Sequence, residues 1–160
     1  MTMKVVFWTL WGMNGKTTLA LGLARALIRR QKSVAIVDKD PGMKNNFHEI
    51  QVLANINEEL DINIIDCPPA LNDELLAEAD MVVIPYHCCN PPEMEEKLSQ
   101  HCDPRKTVMV PTWFRVGDEP KSKHFKLTKE KLRWQQPENQ DDLLRVSEEL
   151  ADAIMGLKVK

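Results

Sequence analysis

Gly12-Met13-Asn14-Gly15-Lys16-Thr17-Thr18 is the stretch from which the rest of the chain is best read. Before it, residues 4–10 (Lys-Val-Val-Phe-Trp-Thr-Leu) are β-branched and aromatic enough for a buried strand, and the glycines break that strand. After it, residues 17–31 set Leu19, Leu21, Leu23, Ala24, Leu27 and Ile28 among strong helix formers. Arg29 and Arg30 fall near the end of this predicted helix, where cations oppose the negative end of the dipole. A strand, a glycine turn and a helix in that order let backbone N–H groups converge on a phosphate. Lys16 can then reach the β- and γ-phosphates, and the Thr17 hydroxyl can hold Mg²⁺. The commonest spacing of such a loop asks for glycine at position 10, where this chain has Leu10. Taken alone, then, Gly-Lys-Thr is equally a tight turn with a capping pair.

The surrounding pattern decides between those readings. Residues 33–37 and 62–65 are short apolar strands that run into Asp38 and Asp66. Further on, the pattern predicts a helix over 72–79, a strand over 81–84, a helix over 92–100, a strand over 107–110 and a closing helix over 141–157. Alternation of this kind predicts an α/β fold with a largely parallel sheet covered on both faces. Ligands of such sheets sit at the carboxyl ends of the strands, where the glycine loop, Asp38 and Asp66 would meet. Pro68, Pro85 and Pro111 follow predicted strands and read as turns, and residues 112–137 read as polar and irregular.

At 160 residues the chain fits one domain, 1–160. Its 43% hydrophobic and 28% charged residues suit a globular protein, and no apolar run approaches the ~18 residues of a bilayer span. The opening apolar run is too short for a secretory signal, so the expectation is a cytoplasmic protein. Of the four cysteines, Cys88 and Cys89 are adjacent, a poor start for a disulfide framework, and reduced thiols are expected. The formal net charge of −3 does not draw the whole molecule to nucleic acid. Residues 121–133, however, carry six basic side chains against Glu130 alone. Lys121, Lys123 and Lys126 within it are candidates for a DNA surface, the alternative being a solvated charged face.

Two more features call for a reading. His87-Cys88-Cys89 and His101-Cys102 gather soft ligands, but at a spacing that matches no familiar zinc site, so buried or incidental residues are the simpler expectation. The closing helix sets Leu143, Leu144, Leu150, Ile154 and Leu157 apart from Arg145, Glu148, Glu149 and Asp152. Its acidic balance argues against a membrane anchor, and packing against the sheet is expected.

The glycine loop, then Val37-Asp38-Lys39-Asp40-Pro41, then Ile64-Ile65-Asp66-Cys67-Pro68-Pro69 and Met81-Val82-Val83-Ile84-Pro85 together resemble the ParA/MinD family of deviant Walker A ATPases. The resemblance spans residues 4 to about 112, with four motifs in the family's order. It implies the three-layer P-loop NTPase fold, ATP and Mg²⁺ as ligands, and hydrolysis coupled to association. It also implies a role in partitioning a plasmid or other cargo, with an ATP-dependent homodimer, non-specific DNA and a ParB-like or other adaptor protein as partners. By position, Gly12, Met13, Asn14 and Gly15 resemble the phosphate cradle, Lys16 and Thr18 its phosphate ligands, and Thr17 the Mg²⁺ ligand. Asp38 resembles the carboxylate that positions the attacking water, with Lys16 as its catalytic companion. Asp40 resembles the switch-region partner, a second candidate near Mg²⁺, and Asp66 the carboxylate that holds the ion through water. Trp11 stands where the family has its signature lysine, and Met13 replaces a glycine. These departures keep open a nucleotide-binding switch with little hydrolysis. A small-molecule kinase or ligase using Arg105, Arg115 or Arg133 is the other alternative.

Overall fold

Three aliphatic strands with almost nothing polar between their ends form the middle of the protein. They are β1 (Met3–Phe7), β2 (Val34–Asp38) and β4 (Ile62–Asp66), with β3 (Gln51–Leu53) between the last two in the chain. The computed structural model describes residues 1–9, 16–39, 50–68, 73–87, 92–112, 126–127 and 140–157. The remaining elements are α1 (Lys16–Arg29), α2 (Asp73–Glu78), β5 (Met81–His87), α3 (Pro92–His101), β6 (Thr107–Thr112), β7 (Lys126–Leu127) and α4 (Gln140–Leu157). The strands lie in the order β3-β2-β4-β1-β5-β6-β7, and every pairing is parallel. Parallel neighbours require crossovers, which α1, α2 and α3 supply.

Alternate residues of each strand go to opposite faces, so a sheet this apolar needs cover on both. Val5, Phe7, Ile36, Ile64 and Val83 face one side with Leu19, Leu23 and Leu27 of α1. Val6, Trp8, Val37, Ile65, Val82 and Ile84 face the other with Leu76 of α2 and Met94 and Leu98 of α3. The result is the expected three-layer α/β fold with its sheet in the centre.

Four details depart from expectation. First, Pro85 and Pro111 are not turns: they lie inside β5 and β6, opposite Val110 and Tyr86. Among the described residues the pairing of β1 with β5 stops at Val83. Pro85 therefore lies past the end of that pairing, and its missing N–H costs no ladder bond on that side. Second, β3 extends the sheet past β2. Third, β7 lies within the stretch expected to be irregular. Fourth, α4 packs chiefly on α1, which already covers that face of the sheet. Leu144 is consequently 51% exposed, while Leu143, Val146, Leu150, Ala151 and Ile154 are buried. Gly22 makes the α1–α4 approach feasible, since a Cβ there would stand 2.3 Å from Ser147 Oγ. At the C-terminal end of α1, Arg29 meets Glu148 of α4 at 2.7 Å, and Arg30 meets Glu148 at 2.9 Å and Asp152 at 2.8 Å. Among the described residues no helix is long and apolar enough to cross a membrane.

Candidate nucleotide site

Parallel pairing brings the carboxyl ends of β1, β2 and β4 level, with Phe7 opposite Asp66 and Asp38 opposite Asp66. Asp66 closes the central strand and is fully buried. Asp38 closes the adjacent strand and is half-buried. Two carboxylates thus stand on neighbouring strands at the edge where the chain leaves β1 and returns as α1.

The first turn of α1 faces this edge. Lys16, its first residue, is only 8% exposed. Its ammonium lies 3.3 Å from Asp66 Oδ1 and donates to the Cys67 carbonyl. Thr17 donates its hydroxyl to Asp66 Oδ2 at 2.9 Å. One buried carboxylate therefore meets the lysine with one oxygen and the threonine with the other. A buried ion pair survives the loss of hydration only when its remaining groups are hydrogen-bonded, and here the threonine hydroxyl and a main-chain carbonyl meet that condition. The backbone around the pair is fixed as well, with Cys67 N–H donating to Phe7 O at 3.1 Å and Lys39 N–H to Asp66 O at 3.0 Å.

The donor set defines what the edge can hold. A threonine hydroxyl and a carboxylate are hard oxygen donors of the kind Mg²⁺ takes alongside water and phosphate oxygens. A lysine ammonium at a helix N-terminus adds positive charge for an anion. Cys67 takes no such part: burial pushes its thiol up to about 11, with Lys16 opposing the shift and Asp66 adding to it. It is a neutral, buried group whose contribution is the carbonyl that accepts from Lys16.

Of the other residues singled out in the sequence, Thr18 is exposed on α1. Gly12, Met13, Asn14, Gly15 and Asp40 lie outside the described residues, as do Lys121, Lys123, Cys88, Cys89, Arg115 and Arg133. Lys126 falls in β7. His101 Nδ1 meets Asp73 Oδ1 at 2.9 Å, and its ring stands edge-on to Trp8 with centroids 6.5 Å apart. Cys102 is buried, and burial pushes its thiol up to about 12. Among the described residues no His, Cys, Asp and Glu side chains group as a metal site. Arg105 is engaged by Asp103, the N-cap of the 3₁₀ turn Pro104–Lys106, at 2.9 Å. Lys39 was missed in the sequence; its only signal was its place between two aspartates.

The model of the CobQ/CobB/MinD/ParA nucleotide binding domain matches residues 11–159. No curated protein matches the chain. Among solved structures, cobyrinic acid a,c-diamide synthase from Mycobacterium smegmatis, with bound ADP and magnesium, is similar at a TM-score of 0.67 and 16% identity. That alignment covers 97% of this chain and 94% of the synthase chain. A plasmid partition protein from Borrelia burgdorferi is similar at a TM-score of 0.65 and 16% identity, covering 98% of this chain and 100% of the other. A second Borrelia burgdorferi structure with a partition designation, bound to AMPPNP, aligns at a TM-score of 0.63 and 14% identity, over 99% of each chain. At these identities the likeness is one of fold.

Proposed function

The chain belongs to the family of CobQ/CobB/MinD/ParA nucleotide-binding domains, and from that membership we propose that it is a ParA-like ATPase that binds Mg·ATP at the Lys16-Thr17-Asp66 edge. The observation that carries the proposal is the buried Asp66 carboxylate, shared between Lys16 and Thr17 at the carboxyl end of the sheet. ADP with magnesium in the synthase and AMPPNP in the Borrelia protein support the choice of ligand.

Each side chain then has a distinct task. Lys16 lends its charge to the phosphate oxygens, helped by the N-terminus of α1. The Thr17 hydroxyl and, through water, the Asp66 carboxylate would hold Mg²⁺. The bound ion supplies neutralisation of the charge that builds on those oxygens. Asp38 accepts a hydrogen bond from the attacking water and aims it, with Asp40 as its companion and the segment 12–15 cradling the phosphates. Because phosphoryl transfer needs mainly positioning and charge neutralisation, this set is chemically sufficient.

Nucleotide-dependent association in the cytoplasm would make the domain a switch for positioning a plasmid or other cargo. Residues 121–133 would act as the contact to non-specific DNA, and a ParB-like or other adaptor would stimulate turnover. Two readings compete with this one. Trp11 and Met13 favour a switch that binds nucleotide with little hydrolysis, and the likeness to the synthase favours ATP-dependent activation of a small molecule. Calorimetry of Lys16→Ala is the first test: Mg·ATP binding should be lost, and unchanged binding would remove the site. Sedimentation with ATP, ADP or no nucleotide, with and without DNA, together with an assay of ATP turnover, separates the three readings. The partition switch changes association with ATP and with DNA, and turns ATP over. The hydrolysis-deficient switch changes association without turnover, and the ligase does neither until its acceptor is added.

A further inference from the structure

Lys39 makes three bonds beside the candidate site, the two from its ammonium on the exposed surface. Its backbone N–H donates to Asp66 O at 3.0 Å, extending the β2–β4 ladder one residue past Asp38. Its ammonium donates to Ala54 O at 2.9 Å and to Asn55 Oδ1 at 3.3 Å, the two residues that follow β3. The turn that presents those acceptors is itself anchored. Asn57 N–H donates to Asn63 Oδ1 at 3.0 Å, while Asn63 Nδ2 donates to Asn57 O at 2.9 Å and to Thr2 Oγ1 at 2.7 Å. Asn63 is fully buried in β4. An unbroken path of hydrogen bonds and main chain therefore runs from the middle of the sheet, through the turn, to the residue beside Asp38.

We infer that Lys39 is a positioning residue for Asp38, pinning the carboxyl end of β2 between β3 and β4 so that the Asp38 carboxylate keeps its place beside Asp66. The inference rests on the proposed role of Asp38 in orienting water. The need for such a pin follows from the sheet: among the described residues β2 has on its outer side the three residues of β3, and their register ends at Val37 opposite Leu53. Asp38 thus lies one residue beyond the last outer pair, where strand ends open most readily. A carboxylate that aims water loses much of its effect when displaced by about an ångström. The lysine ammonium closes that gap by bonding across it to Ala54 and Asn55. Lys39 acts through the backbone of Asp38.

The test compares Lys39→Met, which keeps the stem and removes the donors, with Lys39→Arg, which keeps donors in reach of the same acceptors. The first readout is residue-resolved amide hydrogen exchange by NMR without nucleotide. In Lys39→Met the amide of residue 39 should exchange about tenfold faster, with Val6 and Ile64 unchanged, and Lys39→Arg should restore protection. The second readout is ATP turnover: Lys39→Met should lower kcat about tenfold with Mg·ATP affinity within about twofold, and Lys39→Arg should recover most of the rate. Unchanged exchange at residue 39 overturns the inference, as does loosening that spreads to Val6 and Ile64, or equal loss of kcat and affinity. Asp38→Ala is the reference. If it hydrolyses ATP at the wild-type rate, the reading of Asp38 falls and takes the inference with it. A slow Asp38→Ala beside a wild-type-rate Lys39→Met overturns the inference alone.

Discussion

Separating Lys16 from Asp66 should cost the protein stability as well as nucleotide, and the stability losses from changing either residue should be strongly non-additive. The charges lie 3.3 Å apart with side chains 9% and 0% exposed. At that distance the Coulomb attraction is about 5 kcal/mol for an effective dielectric of about 20, and desolvation of both ions offsets most of it. Lys16→Met leaves the buried carboxylate with the Thr17 hydroxyl, and Asp66→Asn leaves the ammonium with the Cys67 carbonyl. Each single change strands a charge and should destabilise by about 3 kcal/mol, whereas the double variant strands none and should lose only about 2 kcal/mol in total. The expected coupling is therefore about 4 kcal/mol, to be read from urea unfolding of all four proteins at pH 7 with unchanged m-values. A coupling below about 0.5 kcal/mol would mean that the ion pair is solvated and that the site is not the dry, preset edge described above.

Gly22→Ala should destabilise by about 1–3 kcal/mol, because its Cβ would meet Ser147 Oγ at 2.3 Å, and adding Ser147→Ala should recover little of the loss only if Leu143, at 3.2 Å, also fails to yield. Thermal melts of the single and double variants decide that. The Cys67 and Cys102 thiols are raised to about 11 and about 12, so they stay neutral in the fold after their unfolded counterparts ionise. The folded state then binds more protons, so stability is fully present below pH ~8.5 and falls as pH rises towards those folded values. Between pH 8 and 10.5 the unfolding free energy of wild type should fall more steeply than that of Cys67→Ala, and parallel curves would contradict the burial assigned to Cys67. Lys121→Glu, Lys123→Glu and Lys126→Glu combined should abolish salt-sensitive DNA binding and spare ATP binding. Wild-type protein that ignores DNA at low salt with ATP present would remove the DNA role.

The parts of the fold legible in the sequence were those with a periodic apolar signal. The helix carrying Leu19, Leu23 and Leu27 and the strands ending at Asp38 and Asp66 follow directly from patterning. β3 escaped because three residues with Gln51 exposed make no pattern, and β7 because two residues cannot make one. Pro85 misled because a proline's tolerance depends on where the neighbouring strand stops, a fact of the whole sheet. Leu144 misled because amphipathicity locates an apolar face without saying how wide a neighbour covers it. At the site, residue types pointed to Lys16, Thr17 and Asp66, but neither the Cys67 carbonyl nor the reach of Lys39 has any trace in composition or spacing.

The strand at the centre of the sheet is synthesised well before either of the strands it pairs with. β1 begins at Met3, yet its two neighbours begin at Ile62 and Met81. At ribosomal speeds of about 5–20 residues per second, Val5, Val6, Phe7 and Trp8 wait roughly 3–12 s before a first partner strand exists. β2 gives them no help, because it pairs only with β3 and β4. During that interval a segment fully buried in the finished protein is a nascent apolar ribbon, shielded only by whatever α1 can cover. Yield in the cell should therefore depend on temperature and on chaperones that hold emerging chains far more than on the stability of the completed fold.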